Sequence, residues 1–223
     1  MNNTRTIRVT GKGRIKVKPD MTRITLALER TYPDYDETLR RSSEDTESLK
    51  DLLTGFGFER SDLKTLNFSV DTEYESYKDR DAYKQRFVGY KFRHMMKVEF
   101  ESNNELLGKI LYALASCPVN PEFSLSYTVK DPEAAKNELL GKAIADAKEK
   151  AFVLTQAAGV TLKEIQSIDY SWREIDFEFS PMNRPLIAPP CSDEIMSSKS
   201  YAMDIEPDDI EVADTVTVIW EIG

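Results

Sequence analysis

The side chains that most often carry enzyme chemistry are scarce in this sequence. It contains one histidine, His94, within an alternating stretch, Gly89–Val98, that predicts a β-strand. A metal site built on two or three imidazoles cannot be assembled from one histidine, and a Ser/His/Asp or Cys/His arrangement would have to use the same residue. We therefore interpret His94 as an ordinary strand residue and predict no catalytic residues.

The cysteines and glycines do not form a recognisable ligand site either. Cys117 and Cys191 lie far apart in the sequence and belong to no CxxC pair, so they match neither the zinc nor the disulfide patterns. The segment Gly11–Gly13 lacks the third glycine of a dinucleotide-binding loop, and no Gly-Lys pair is followed by the Ser or Thr of a P-loop. We predict no cofactor and no metal, and we interpret Gly11–Gly13 as a β-bulge within a strand.

Pairs of acidic residues are the remaining candidates for acid/base or magnesium chemistry. Three such pairs occur: Asp208 with Asp209, Asp79 with Asp81, and Glu73 with Glu75. Charged residues make up 31% of the chain, so solvated surfaces are the simpler explanation for each pair. An acid/base or Mg-dependent enzyme using these carboxylates is therefore kept as a lesser alternative.

The composition describes an acidic protein of 223 residues with a formal net charge of −9. This charge argues against binding to nucleic acid or to anionic lipid. No run of residues approaches the roughly 20 apolar positions of a transmembrane segment. The first residues enter a strand pattern without an apolar leader region, so we expect a cytoplasmic location for the sequence as it stands, and the periplasm or cell envelope if a leader has been omitted.

Alternating and helical patterns divide the chain into elements. Alternation predicts strands over residues 5–18 and 21–30, and Pro19 with Asp20 suggests that a turn joins them as a β-hairpin. Asp34 is the predicted N-cap of a helix that ends near residue 56, with Glu37 completing a capping box. A long hairpin follows, with strands at 63–77 and 87–101 and a charged tip at 78–86.

The second half of the chain alternates helices and strands. We expect a helix at 104–116, a strand at 122–129, a helix at 132–158, and strands at 162–172 and 210–222. The apolar positions of the 132–158 helix predict a buried stripe: Leu140, Ile144, Ala147, Ala151, Leu154 and Ala158. Its alanines indicate close approach to a sheet or a neighbouring helix. Residues 175–204 contain several prolines and methionines without periodicity, and we expect a long arm or loop there.

Charges are segregated at the two ends of the chain. Residues 5–18 carry only basic charges and residues 204–223 only acidic ones. Opposite charges facing each other across a strand pair contribute about 0.2–1 kcal/mol each, so we predict that the two terminal strands are neighbours, within one chain or across a subunit interface. A nucleic-acid role for the basic strand is the alternative.

Together these elements predict an α+β fold. It would contain two strand-helix-strand units with antiparallel sheets, one long β-hairpin and a long Ala-rich helix packed on the sheet. Two short segments, 57–65 and 159–167, share the same order of glycine, apolar, acidic and hydroxyl residues at a helix exit. This echo supports two structurally equivalent units.

Several segments, taken in order, resemble the SIMPL-domain proteins, which include bacterial periplasmic immunogenic proteins. The segments that carry the resemblance are Ile7–Met21, Gly89–Arg93, Phe123–Tyr127, Lys142–Ala151, Ala158–Val160 and Glu211–Ile222. The likeness covers residues 5–222, which we expect to form a single SIMPL-like domain, divisible into subdomains at about 5–77 with 205–222 and at about 88–174. None of the matching segments is catalytic, and no family site residues can be carried over.

The resemblance implies an α+β fold, frequent assembly into homo-oligomers, and roles in envelope or oxidative-stress tolerance without an established reaction. We therefore expect a non-enzymatic, self-assembling protein. The candidate interface consists of aromatic residues near the tip of the long hairpin: Tyr74, Tyr77, Tyr83, Phe87 and Tyr90. A small-ligand-binding module that uses a pocket between the two halves is the other alternative.

Overall fold

The computed structural model describes residues 5–79, 82–170, 177–180 and 205–223. The α-helices are α1 (Tyr35–Thr54), α2 (Asn104–Ala115) and α3 (Pro132–Ala157). The strands are β1 (Thr6–Val17), β2 (Met21–Tyr32), β3 (Lys64–Asp79), β4 (Ala82–Glu101), β5 (Glu122–Thr128), β6 (Leu162–Asp169), β7 (Glu178–Phe179) and β8 (Ile210–Ile222). The predicted α+β class, with a long hairpin and a long helix packed on a sheet, is confirmed.

The described residues separate into two compact units. The first contains residues 5–20, 128–170, 177–179 and 207–223, and the second contains residues 21–79 and 82–127 with 180 and 205–206. Most of the 175–204 arm predicted above lies outside the described residues. Within the part of the chain that is described, no helix has both the length and the apolar character that crossing a membrane requires.

The terminal strands are neighbours in the first unit, as their charges predicted. The strand order is β1–β8–β6, and β1 pairs with β8 in antiparallel register over its whole length, from Thr6 opposite Glu221 to Val17 opposite Ile210. Charge accounts for little of this pairing, because only Lys16 and Glu211 form an ion pair directly across it. Apolar side chains under α3 account for more, since burying each one stabilises the fold by about 1.5–3 kcal/mol.

Glycines in β1 allow α3 to lie almost directly on the strand. A Cβ atom at Gly11 would lie 2.0 Å from the carbonyl oxygen of Ala143, and one at Gly13 would lie 2.2 Å from that of Leu139. The predicted bulge at Gly11–Gly13 is wrong, because the β1–β8 register runs through this segment without a shift. These glycines make room for the helix backbone and do not interrupt the ladder.

The buried ridge of α3 differs from the predicted stripe. It repeats every fourth residue: Ala135, Leu139, Ala143, Ala147, Ala151 and Thr155. Leu154 and Ala158 were predicted to be buried and are exposed, while Leu140 and Ile144 are half-buried beside the ridge. The alanines do mark a close approach, and a row of small residues at every fourth position lets the helix backbone reach the strand.

The predicted hairpin between the first two strands does not form. β1 belongs to the sheet with β8 and β6, whereas β2 pairs with β4 in the other sheet. Asp20, in the expected turn, donates its N–H to the Thr128 carbonyl at 3.2 Å and accepts at Oδ1 from the Lys130 N–H at 2.7 Å. Pro-Asp predicts a change of chain direction, but the choice of partner strand depends on burial of apolar faces far apart in sequence.

In the second unit the strands lie in the order β3–β4–β2–β5. Alternate residues of β2, including Ile24, Leu26 and Leu28, are fully or almost fully buried in one apolar cluster with residues of α1, α2 and β4. The Asp34 cap is confirmed, because its carboxylate accepts the N–H groups of Asp36 and Glu37. The side chain of Glu37 instead forms ion pairs with arginines one turn along the helix.

The long hairpin is confirmed, and it is longer than predicted. Pairing between β3 and β4 continues to Asp79 opposite Ala82, so most of the expected tip at 78–86 is strand. The hairpin register shifts at two points, between Thr65 and Asn67 and between Glu73 and Tyr74. The second shift changes which side chains share a face in the outer part of the hairpin.

Replacing Gly11 by alanine should lower the free energy of unfolding by roughly 1–3 kcal/mol or more, because the new Cβ atom would collide with the α3 backbone. Gly141→Ala is the matched control: no atom lies within 4 Å of a Cβ there, and alanine's better helix propensity should add up to about 1 kcal/mol. Urea unfolding at neutral pH measures both changes. Equal effects at the two glycines would contradict the close packing.

Candidate functional site

The outer part of the β3–β4 hairpin extends beyond the rest of its sheet. Pairing of β2 with β4 ends at Tyr32 opposite Tyr90, whereas β3 and β4 remain paired to their tip. Residues 73–79 and 82–89 therefore form a two-stranded ribbon about 23 Å long, at about 3.3 Å per residue. We call this ribbon the aromatic arm. Among the described residues, no third strand pairs with it.

Three of the predicted interface residues form a continuous row on one face of the hairpin. The ring of Tyr74 contacts that of Phe87 edge-to-face with centroids 5.7 Å apart, and Phe87 contacts Tyr90 in the same manner at 5.3 Å. Tyr90 in turn contacts Tyr35, at the first turn of α1, at 5.2 Å. We call these four rings the aromatic ladder. Edge-to-face pairs add about 0.5–1.5 kcal/mol each beyond the area they bury, so the ladder is a preferred arrangement.

The other two predicted residues lie on opposite faces of the arm. Tyr83 lies four positions before Phe87, so alternation places it on the ladder face, where it is 80% exposed. Tyr77 lies three positions after Tyr74, and the same alternation places it on the other face. The structure therefore groups four of the five predicted residues and separates Tyr77 from them.

The bulge beside Gly89 creates the ladder. Gly89 has φ of +157° and lies opposite Glu73, while Phe87 lies opposite Tyr74, so Val88 is the extra residue. Without this extra residue, Phe87 would point to the face opposite Tyr90. A Cβ atom at Gly89 would lie 2.2 Å from the carbonyl oxygen of Tyr32, which favours glycine at this point. Sequence reasoning missed the bulge, although a glycine inside a strand is its usual signal.

Ion pairs stabilise the other face of the hairpin. Glu29 of β2 accepts from Arg93 at 2.7 Å and also pairs with Lys91, and these hydrogen bonds lower the pKa of Glu29 to about 2. Farther along the arm, Glu75 pairs with Arg86 at 2.6 Å. The pairs are solvent-exposed, so each adds little stability alone. The Glu29 pairs connect β2 with β4, whereas the Glu75–Arg86 pair connects β3 with β4 within the arm.

His94 lies in β4, as predicted, and is buried between two threonine hydroxyls. Thr46 of α1 donates to the Ser42 carbonyl oxygen at 2.7 Å, so its hydroxyl oxygen accepts the Nδ1–H of His94 at 3.0 Å. Nε2 then accepts from the Thr65 hydroxyl at 2.8 Å. The ring also contacts Phe68 edge-on. Both nitrogens are thus engaged with neutral partners, an arrangement that suits a structural histidine.

The acidic pairs do not assemble into a catalytic or metal-binding cluster within the described residues. Asp209 donates its N–H to Asp208 Oδ1 at 2.8 Å, and both residues are exposed. Glu73 and Glu75 have Lys91 and Arg86 as partners. Asp81 lies outside the described residues, as does Cys191, and Cys117 is buried. The described part of the chain contains no group of three or more potential metal ligands.

Acidification should destabilise the second unit through His94. Burial, with a smaller contribution from Lys50, lowers the pKa of His94 below its ordinary 6.5. Below pH 6.5 the unfolded chain takes up a proton that the folded chain does not, so the free energy of unfolding should fall as the pH drops from 7 to 5. His94→Gln should lower stability at pH 7, because one threonine loses its partner, but it should flatten the pH dependence. Urea midpoints at pH 7, 6 and 5 measure this, and parallel slopes for both proteins would contradict it.

Comparison with known proteins identifies relatives over most of the chain. The SIMPL family, described as a protein of unknown function (DUF541), matches residues 7–220. Two curated relatives align over 163 residues at 29% identity: the 26 kDa periplasmic immunogenic proteins of Brucella melitensis biotype 1 and of Brucella abortus (strain S19).

The alignments cover 73% of this chain and 65% of each relative, so the chain spans just under two thirds of the length of the curated relatives it matches. The family match, by contrast, extends from the second residue of β1 to Trp220, the third residue from the end of β8. It therefore includes the close β1–α3 contact and the complete hairpin. On this evidence the chain belongs to the SIMPL family, whose biochemical function is unknown.

Proposed function

We propose that this protein is a non-enzymatic, self-assembling protein and that the aromatic arm is its main contact surface. The observation that carries the proposal is the aromatic ladder, a row of rings that leaves the cover of α1 and continues along a two-stranded ribbon. Tyr74 and Phe87 are about half exposed there. Aromatic side chains arranged in this way are typical of protein interfaces.

The arm has the physical character of a structure that needs a partner. An isolated two-stranded hairpin is at best marginally stable in water, because each strand has only one neighbour and no core to cover its apolar face. Docking of the ladder face would remove Tyr74, Phe87 and Tyr83 from water. Apolar burial contributes roughly 25 cal/mol per Å², and large aromatic residues offer much of that area at a low cost in side-chain entropy.

The ion pairs on the opposite face support the same role. Glu75 with Arg86, and Glu29 with Lys91 and Arg93, connect neighbouring strands on the face away from the ladder. Within the arm, the ladder face carries Tyr74, Phe87 and Tyr83, whereas the opposite face carries the Glu75–Arg86 ion pair beside Tyr77. A binding surface whose shape is already held before docking loses less conformational entropy on association.

The proposed setting is the cell envelope, with a role in envelope or oxidative-stress tolerance. The family resemblance and the word "periplasmic" in the names of the Brucella relatives support this setting. Fractionation of cells that express the native gene would test the location. Recovery of the protein only in the cytoplasmic fraction would contradict it.

Light scattering on the purified protein tests the self-assembly. The unmodified chain should form a homo-oligomer, and Tyr74→Thr/Phe87→Thr should weaken association by at least about tenfold, because two central apolar anchors are lost. Threonine keeps a strong preference for β-strands, so the hairpin should still form.

Tyr77→Thr is the matched control, since it removes a tyrosine from the same ribbon on the face away from the ladder. It should assemble like the unmodified chain. A strictly monomeric unmodified chain at all concentrations would overturn the proposal, as would an oligomer that tolerates the ladder substitutions. Circular dichroism and thermal unfolding of each variant confirm that the fold is intact before association is compared.

A further inference from the structure

Most of the large apolar side chains that are exposed belong to two separate groups. One group lies on the hairpin: Leu66, Phe68, Tyr74, Tyr77, Tyr83, Phe87 and Val88. The other lies in the first unit, on α3 and β6: Phe152, Val153, Leu154, Ile165 and Ile168. The first group contains the aromatic ladder already discussed. The second group has no assigned role.

The exposure on β6 arises because α3 does not cover the whole width of its sheet. Ile165 lies opposite Trp220 and Ile168 opposite Val218, and both of these β8 residues are buried beneath α3. The helix packs mainly on β1 and β8 and barely reaches β6. Ile165 and Ile168 therefore lie on the helix-covered face of the sheet but remain 49% and 50% exposed.

One side of α3 is directed towards β8 and β6. Leu140, Ile144, Lys148 and Phe152 lie at four-residue spacing on one ridge of the helix. The first two pack against the core beneath α3, whereas Lys148 and Phe152 are exposed. The ridge on the other side carries Asp146, which accepts the Lys12 N–H at 2.6 Å on the side of β1 away from β8. The Phe152 ridge therefore faces β8 and β6. Phe152, Ile165 and Ile168 are all exposed, and we call the surface to which they belong, between this ridge and β6, the β6 groove.

Within the part of the chain that the structure describes, the backbone of β6 is also open on one side. β6 is the last strand in the order β1–β8–β6, and among the described residues nothing pairs with its outer edge. β1, at the other edge, is protected, because Asp146 occupies the Lys12 N–H and the neighbouring side chains are basic. An unprotected edge beside exposed isoleucines is a typical site for strand addition.

We infer that the β6 groove receives the aromatic arm of a second copy of this chain. This inference rests on the proposed self-assembly and specifies its interface. An arm supplies an apolar ladder face together with a free strand, β3, and the groove offers uncovered apolar side chains together with a free strand, β6. Because the two surfaces are different patches of the same chain, the contact is heterologous, each copy giving its arm to the next.

Charge on β3 argues against the alternative in which two arms pair with each other. Asp71, Glu73 and Glu75 are spaced two apart and line one face of the hairpin's free edge. In the register centred on Glu73, a two-fold antiparallel β3–β3 contact would place this acidic row against its own copy. Like charges directly opposite destabilise a strand pair, and Lys91 and Arg86 on β4 balance only part of this repulsion. β6 presents no such acidic row, because its charged residues are Lys163, Glu164 and Asp169, and the two acids lie five positions apart.

A mixing experiment with two variants tests the inference. The arm variant is Tyr74→Thr/Phe87→Thr, and the groove variant is Ile165→Thr/Ile168→Thr. Each variant alone should be monomeric by light scattering at concentrations where the unmodified chain assembles, because a head-to-tail contact needs both surfaces. Mixed one to one, they should form a dimer and stop there, since the intact arm of one fits the intact groove of the other and no further pair of intact surfaces remains.

Control variants keep the result interpretable. Val153→Thr alters an exposed residue of α3 about 200° around the helix from the buried Ala151, and it should assemble normally. Phe152→Lys places a charge in the groove at a solvent-exposed helix position, and this variant should behave like the groove variant. It provides a second test if the β6 substitutions impair folding.

The outcomes separate the two proposals. If the groove variants assemble like the unmodified chain, or if the mixture yields no heterodimer, the groove inference is overturned while self-assembly through the arm stands. A monomeric unmodified chain overturns both. A dimer in the mixture, with monomers in each separate variant, is the expected result.

Discussion

The close contact between the α3 backbone and the β1 glycines is the constraint on which the first unit depends. Gly11 and Gly13 let Ala143 and Leu139 approach so closely that the helix lies along β1. It covers the adjacent β8 less completely and barely reaches β6. The apolar face of β1 is then buried against α3, and β1 pairs with β8. Because of this pairing, β1 does not form the predicted hairpin with β2. The same placement leaves β6 without a covering helix. The packing of α3 on β1 therefore accounts for both the sheet order and the position of the exposed groove.

In the second unit, the corresponding constraint is the point along the hairpin at which the helices and β2 stop covering it. The helices α1 and α2 cover β2 and the inner half of the hairpin, and β2 stops at Tyr32. Beyond that point the hairpin continues with a bulge at Gly89 that turns Phe87 onto the same face as Tyr90. The rings that would have been core residues under a longer helix thus become a surface.

Much of this structure could be predicted from local patterns. The strand containing His94, the Asp34 cap, the hairpin and the aromatic residues near its end all follow from alternation, capping and composition. Two of the wrong predictions share one cause. Pairing β1 with β2 and assigning a bulge at Gly11–Gly13 were both local interpretations of turn and glycine signals, and in both cases the answer depended on α3, which lies more than a hundred residues away in sequence.

By itself, the sequence determined the α+β class, the family, the pairing of the oppositely charged end strands and the identity of the aromatic candidates, because periodicity and composition are properties of the chain alone. Only the tertiary structure decided which candidates lie together on one face. It placed Tyr74, Phe87 and Tyr90 in one row, moved Tyr77 to the other face and left Ile165 and Ile168 uncovered. The physical reason is that a single extra residue in a strand, or the lateral position of one helix on a sheet, reassigns faces without changing the alternation of the sequence.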